Sequence, residues 1–337
     1  MYETFYNLNA KPFQLNPDPR FFFGSSGHNR VLAYLRYGIA QGEGFVVVTG
    51  EVGAGKTTLI RTLLQELSQD RKLVIGQLVT THLDPNQLLG MIASAFGVED
   101  DGGSKAALLR KLEAFLIRQA HGGKRVLLVI DEAQNIPLKS LEEMRMLSNL
   151  QVGTRSLLQS VLLGQAEFRE LLRSPETEQL RQRIIASHHL GPLNLEETHG
   201  YIEHRLTQVG WAGDPSFTDE AYAGIYDFTG GVPRRINTLC DRVLLYGYLE
   251  ELHVIDADIV RRVTEELDQE FPYVESAAEE EAGAAIHSVA EPRLADLERR
   301  VRALENVVAR AQALLGEAVR DSGAARTGAE RDRRSGG

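Results

Sequence analysis

Short, unbroken apolar runs recur through the first 190 residues: FVVVT at 45–49, LVIGQLV at 73–79, VLLVI at 126–130, LLQSVLL at 157–163 and IIASHHL at 184–190. Little alternation interrupts them, so they predict strands buried on both faces. Helix-period stretches such as KTTLIRTLLQELSQ and SKAALLRKLEAFLIRQA lie between them. Strand and helix in repetition predict a mostly parallel sheet covered on both sides. From about residue 195 the apolar runs stop, and NLEETHGYIEHRLTQVG, TDEAYAGIYDFTG, PRRINTLCDRVLLYGYLE and DADIVRRVTEELDQEF follow. Each opens on an acid or a cap and carries one apolar face, which predicts a small all-helical second domain.

Past Phe271 the pattern changes again. The acidic, small-residue stretch VESAAEEEAGAAIHSVAEP predicts a flexible linker. Leu294, Leu297, Val301, Leu304, Val308, Ala311 and Leu315 then step by three and four residues, a heptad stripe. Three uses fit it: packing back on the body, self-association, or docking on a partner helix. A polar tail, RDSGAARTGAERDRRSGG, closes the chain and predicts disorder.

Composition narrows the class. With 43% hydrophobic and 25% charged residues in 337, the chain reads as an ordinary globular protein. Its net charge of -10 disfavours non-specific nucleic-acid binding. A single cysteine, Cys240, forbids an intramolecular disulfide and points to a reducing compartment. The start MYETFYNLNAKPF lacks a basic and apolar leader, and no run approaches the ~20 apolar residues of a membrane span. The expectation is a cytoplasmic protein, with room for peripheral attachment at the inner membrane.

The chemistry-bearing stretch is VVVTGEVGAGKTTLIRTLL. GEVGAGKT fits G-x-x-x-x-G-K-[ST], from Gly50 through Glu51, Val52, Gly53, Ala54 and Gly55 to Lys56 and Thr57, with Thr58 behind it. Glycines let backbone N–H groups curl round phosphate oxygens, and the next helix N-terminus adds partial positive charge. Lys56 reaches the β- and γ-phosphates, and the Thr57 hydroxyl ligates Mg²⁺. This predicts binding of ATP with Mg²⁺. In RVLLVIDEAQN, Asp131 ends a strand and completes the metal site, while Glu132 is placed to act as general base toward water.

Three further features concern coupling. Gln165, in LLGQAEF, stands at a strand tip to sense the γ-phosphate, orient water or shape the loop. ETEQLRQRIIA puts Arg181 and Arg183 on one short helix before the last strand. In TGGVPRRINTLC, Pro233 starts a helix and sets Arg234 at its N-terminal end, within reach of phosphates.

Taken together, these residues resemble the AAA+ ATPases over about residues 1–270. The resemblance implies a five-stranded αβα core of strand order 5-1-4-3-2 and a lid contributing Arg234 as sensor 2. It also implies Gln165 at the sensor-1 position and a neighbour-facing arginine finger at Arg183, with Arg181 as the alternative. FYNLNAKPFQLNPDPRFFF, IDEAQN, LLGQAEFRELL, LRQRI and GGVPRRINTLCDRVLL look more narrowly like the general secretion pathway protein A (ExeA-like) ATPases. They look closest to those of exosortase/PEP-CTERM exopolysaccharide loci.

The expected organisation is an AAA+ αβα core at 1–193, a helical lid at 194–271, a linker at 272–292, a heptad helix at 293–316 and a tail at 317–337. Two readings stand for KPFQLNPDPRFFFGSSGH: Phe13, Pro17 and the aromatics at 21–23 line an adenine pocket with His28 facing the base, or the segment simply packs on the core. His188, His189 and Trp211 lack metal-ligand spacing and read as core or surface; Cys240 reads as a core hydrophobe. The leading expectation is an oligomeric ATPase that remodels a secretion or polysaccharide-export membrane component, with no nucleic-acid partner. The alternatives are an ATP-dependent switch scaffolding partners through its C-terminal helix, and a nucleotide-gated DNA-binding regulator.

Overall fold

In the computed structural model, residues 1–79 and 87–270 are described. The expected linker, heptad helix and tail lie outside them. The chain runs through α1 (Tyr2–Phe5), α2 (Ser26–Gln41), β1 (Phe45–Gly50), α3 (Lys56–Leu67), β2 (Leu73–Val79), α4 (Leu88–Ala95), α5 (Lys105–His121), β3 (Arg125–Asp131) and α6 (Leu138–Leu147). A minimal hairpin follows, β4 (Gln151–Val152) with β5 (Arg155–Ser156), then β6 (Gln159–Gly164), α7 (Ala166–Leu171), α8 (Glu178–Arg181) and β7 (Ile184–Leu190). The helical part holds α9 (Leu195–Thr207), β8 (Ser216–Phe217), α10 (Asp219–Thr229), α11 (Pro233–Leu249), β9 (Val254–Ile255) and α12 (Ala257–Glu270).

The five apolar runs become one parallel sheet of order β2-β3-β6-β1-β7. Numbered among themselves these strands read 2-3-4-1-5, the order the resemblance implies. Every residue of β1 and β6 is buried, which explains why polar positions hardly interrupt these runs. Alternate side chains still go to opposite faces. Phe45, Val47, Leu128 and Ile130 join the cluster packed on α4, α5 and α6, while Val46, Val48, Leu127 and Val129 join the one on α2 and α3.

Helix boundaries follow local chemistry. Ser25, Ser104 and Thr218 cap α2, α5 and α10 by accepting backbone N–H groups, and Asn194 with Glu197 forms a reciprocal capping box on α9.

Two expectations need correction. The helical part is not purely helical, because β8 and β9 pair in parallel; two residues are too few to leave a period in the sequence. Arg183 is not on the short helix with Arg181, since α8 ends at Arg181 and Arg183 sits just ahead of β7.

The N-terminus supplies a third finding. Tyr2, Tyr6, Leu8, Phe13 and Phe21, expected within the nucleotide-binding unit, share an apolar cluster with Ile202, Leu206, Ile236 and Val243 of the lid helices. The Tyr6 hydroxyl donates to the Leu252 carbonyl at 2.9 Å, and the Asn9 N–H to the Val209 carbonyl at 2.8 Å. Core and lid lie within one compact unit, Met1–Leu267.

Candidate functional site

The loop 51–55 joins β1 to α3, and its shape depends on two glycines. Gly53 and Gly55 have φ of 83° and 94°, a left-handed region that side chains resist. The space is also taken: a Cβ on Gly53 would lie 2.4 Å from the Arg234 Cβ, and one on Gly55 2.9 Å from the His28 Nε2. The loop is thus pressed between the lid helix α11 and the first core helix α2.

Lys56 opens α3 and is buried, its ammonium donating to the carbonyls of Gly50 at 2.7 Å and Glu51 at 2.8 Å. Burial pushes its pKa down, and the nearby carboxylates of Glu132 and Asp131 oppose that shift. A cation held inside a curl of backbone is arranged to meet polyphosphate oxygens. Thr57 donates its hydroxyl to Asp131 Oδ2 at 2.8 Å, so the end of β3 faces the start of α3.

Glu132 leaves β3 at φ 56° and is gripped from two sides. Its Oε2 accepts Gln134 Nε2 at 2.6 Å and Gln165 Nε2 at 3.0 Å. The circuit closes where the Gln165 backbone N–H donates to Gln134 Oε1 at 3.1 Å. Burial acts to raise the Glu132 pKa, but the two amide bonds and the Lys56 charge outweigh it and hold the carboxyl below its ordinary value. Gln165 thus stands just past the end of β6, bonded to Glu132. Gln134 was missed; its only signal was its place three residues behind Asp131.

A cavity of about 380 Å³ opens in front of these groups, with Lys56, Thr57, Thr58, Glu132 and Gln165 on one side. Arg234 lines it from the lid, and its backbone N–H donates to the Gly53 carbonyl at 3.2 Å. Pro233 does occupy the first turn of α11, as expected. Pro17 and Phe21 to Phe23 line the far wall, while Phe13 is buried in the lid cluster. His28 props the loop: Nε2 sits 3.2 Å from the Ala54 carbonyl and Nδ1 2.7 Å from the Ser25 hydroxyl. Burial pulls its pKa down, which favours the neutral ring.

The two candidate finger arginines are elsewhere. The carbonyl of Arg183 accepts from the N–H of Phe45, at the start of β1, and the loop lies beyond the end of that strand. Six residues of strand put roughly 17 Å between those ends. Arg183 reaches the Ser148 carbonyl and hydroxyl, each at 3.3 Å, in a separate cleft that Glu43 also lines. Arg181 touches the carbonyls of Leu172 and Arg173 at 3.4 Å.

His188, His189, Trp211 and Cys240 make packing and hydrogen-bond contacts within the fold. His188 stacks on Tyr34, His189 Nδ1 lies 3.0 Å from the Thr49 hydroxyl, and the Trp211 indole donates to the Pro215 carbonyl. Cys240 is fully buried and its thiol pKa is pushed up by that burial. Among the described residues no group of His, Cys, Asp or Glu forms a ready metal cage, and no helix is long and apolar enough to cross a membrane.

The fold and loop together are those of the P-loop AAA+ ATPases. A family described as AAA domain matches residues 39–172. The chain is 38% identical over 261 residues to the General secretion pathway protein A of Aeromonas hydrophila, covering 77% of this chain and 47% of that one. It thus spans about half the length of this relative. Among solved structures it is similar to Cdc6p from Pyrobaculum aerophilum, with TM-score 0.59, 16% identity and coverage of 76% of this chain and 70% of the other. It is similar also to the Aeropyrum pernix ORC2 protein in ADPNP–ADP complexes, with TM-score 0.56, 17% identity and coverage of 77% and 72%. At these identities the structural likeness concerns the fold.

Proposed function

We propose that this chain hydrolyses ATP with Mg²⁺ to assemble or remodel a secretion or exopolysaccharide-export apparatus, as an oligomer attached peripherally to the inner membrane. The observation that carries the hydrolytic reading is the convergence of Lys56, Thr57 and Glu132 on a single cavity, with Asp131 bonded to Thr57 behind them. The secretion setting rests on the likeness to General secretion pathway protein A. The narrower tie to PEP-CTERM exopolysaccharide loci belongs to the same proposal.

Residues 50–58 cradle the phosphates by backbone N–H groups, and Lys56 neutralises the β- and γ-oxygens. The hard-oxygen pair of Thr57 and Asp131, 2.8 Å apart, fits Mg²⁺, which when bound supplies charge to the phosphate oxygens. Glu132 takes a proton as water attacks the γ-phosphorus and the β–γ bridging bond breaks, leaving ADP and phosphate. Gln165 holds Glu132 and faces the γ-phosphate, while Arg234 covers the phosphates from the lid. Arg183 acts on the nucleotide of a neighbouring copy.

Two variants test the chemistry. Lys56→Ala should lose ATP binding altogether, read by calorimetry. Glu132→Gln should bind ATP as the parent does and turn it over about 10²–10⁴-fold more slowly, because an amide accepts no proton. Parental turnover by Glu132→Gln removes it as the base.

A further inference from the structure

Arg205, on α9, is only 5% exposed and forms no salt bridge among the described residues, although its charge helps to lower the pKa of the Asp18 carboxyl. A guanidinium in such a place costs several kcal/mol unless its donors are used. It spends them on the N-terminal segment. Nε donates to the Pro12 carbonyl at 2.6 Å and Nη2 to the Gln14 carbonyl at 3.1 Å, while Nη1 donates to the Tyr201 hydroxyl at 2.8 Å. Its charge lies 4.6 Å from the centre of the Phe21 ring. Tyr201 in turn donates to Asn237 on α11, one helical turn beyond Arg234.

A second arginine holds the same segment from the other side. Arg61, on the helix that begins with Lys56, donates to the Pro17 carbonyl at 2.9 Å. Residues 12–14 are thus fastened to the lid and residue 17 to the core. Gln14 to Pro17 bridge the two and line the same cavity as the phosphate loop. Leu15 lines this cavity and is 56% exposed.

We propose that Arg205 is a positioning residue for the nucleotide base: with Arg61 it clamps the ends of the link Gln14–Pro17, so that the wall against the base belongs to both lid and core and closes when they approach. The proposal rests on the nucleotide-binding reading and adds to it a base-side element worked by the lid. Phosphate contacts hold the lid through Arg234, and the base adds a second hold through the link. Replacing either clamp loosens the base wall and leaves the phosphate cradle intact.

The test compares ATP with inorganic tripolyphosphate, which carries the phosphates and no base, on the full chain. The parent should bind ATP the more tightly. Arg205→Lys keeps the charge and loses the fork, and should weaken ATP about tenfold; Arg61→Ala, at an exposed position, should weaken it about threefold. Tripolyphosphate affinity should stay unchanged in both. Hydrogen exchange should show ATP slowing the Leu15 and Asn16 amides in the parent and not in the variants. If Arg205→Lys does not fold, Arg61→Ala decides. Equal losses for ATP and tripolyphosphate, or no loss for ATP, overturn the clamp. A parent that binds tripolyphosphate and ATP equally overturns it too, with the phosphate site intact. A parent that binds neither overturns the nucleotide reading as well.

Discussion

The two ends of the central sheet are built differently. At the end where β1 and β3 finish, Lys56 bonds the loop carbonyls of Gly50 and Glu51, Thr57 bonds Asp131, and Glu132, Gln134 and Gln165 bond one another, all between 2.6 and 3.1 Å. At the end where β1 and β7 begin, the Arg183 side chain makes two contacts of 3.3 Å with Ser148, beside an open cleft. The first end is tied together by its own chain. The second offers a loosely engaged cation, and no carboxylate among the described residues neutralises it. Under the proposed function, the charge that lies roughly 17 Å away along the strand is delivered by another copy, stacked so that one end faces the other.

The largest effect that would break this comparison concerns Arg183. An arginine delivered to a neighbour's γ-phosphate is worth about 10³–10⁵ in rate. Arg183→Ala should bind ATP almost normally and lose hydrolysis by that order. Mixing it with inactive Lys56→Ala should restore part of the activity, because one mixed interface pairs an intact loop with an intact arginine. Specific activity should also rise with protein concentration. Arg181→Ala, whose side chain only touches carbonyls of its own loop, should be milder. A mixture that stays dead, with activity independent of concentration, makes the two ends unrelated and favours a monomeric switch.

What the sequence could show divides along the same line as the contacts. The phosphate loop and Asp131–Glu132 were legible because each motif is contiguous and strand context announces it. The sheet was legible because runs buried on both faces leave an uninterrupted apolar signature. Gln134 sat inside a quoted motif and went unread, since its partner Gln165 is 31 residues away and the bond exists only once β3 and β6 are neighbours. Arg205 was further out of reach: its partner Pro12 is 193 positions off and offers a backbone carbonyl, which any residue has. For His28 the sequence left two readings open, facing a base or packing with its segment; its bond to the Ala54 carbonyl of the loop could not be read from the sequence. The share of the N-terminal segment in the lid core was hidden for the same reason, because an apolar residue does not name the cluster it will join.

The smaller effect sharpens the comparison from the ordered end. If the amide circuit orders the base, breaking it at Gln134 should cost rate without costing affinity. Gln134→Leu keeps the bulk and removes both the donor to Glu132 Oε2 and the acceptor for the Gln165 N–H. Loss of such a bond to a charged group is worth about 1.5–3 kcal/mol, so kcat should fall about tenfold or more while KM for ATP stays put. The pH profile separates this from mere loosening. Burial raises the Glu132 pKa, and the Gln134 and Gln165 bonds together with Lys56 bring it down. Glu132 works as base only when ionised, so in the parent activity persists into acid and falls as pH drops through that lowered pKa. Removing one lowering bond moves the pKa upward. The acid limb of kcat should therefore shift to higher pH in Gln134→Leu, and Gln134→Glu should shift it further, since a second carboxylate disfavours ionisation of the first. A rate loss with an unmoved acid limb would leave Gln134 as packing between β3 and β6, and the order at this end of the sheet would then owe nothing to the base.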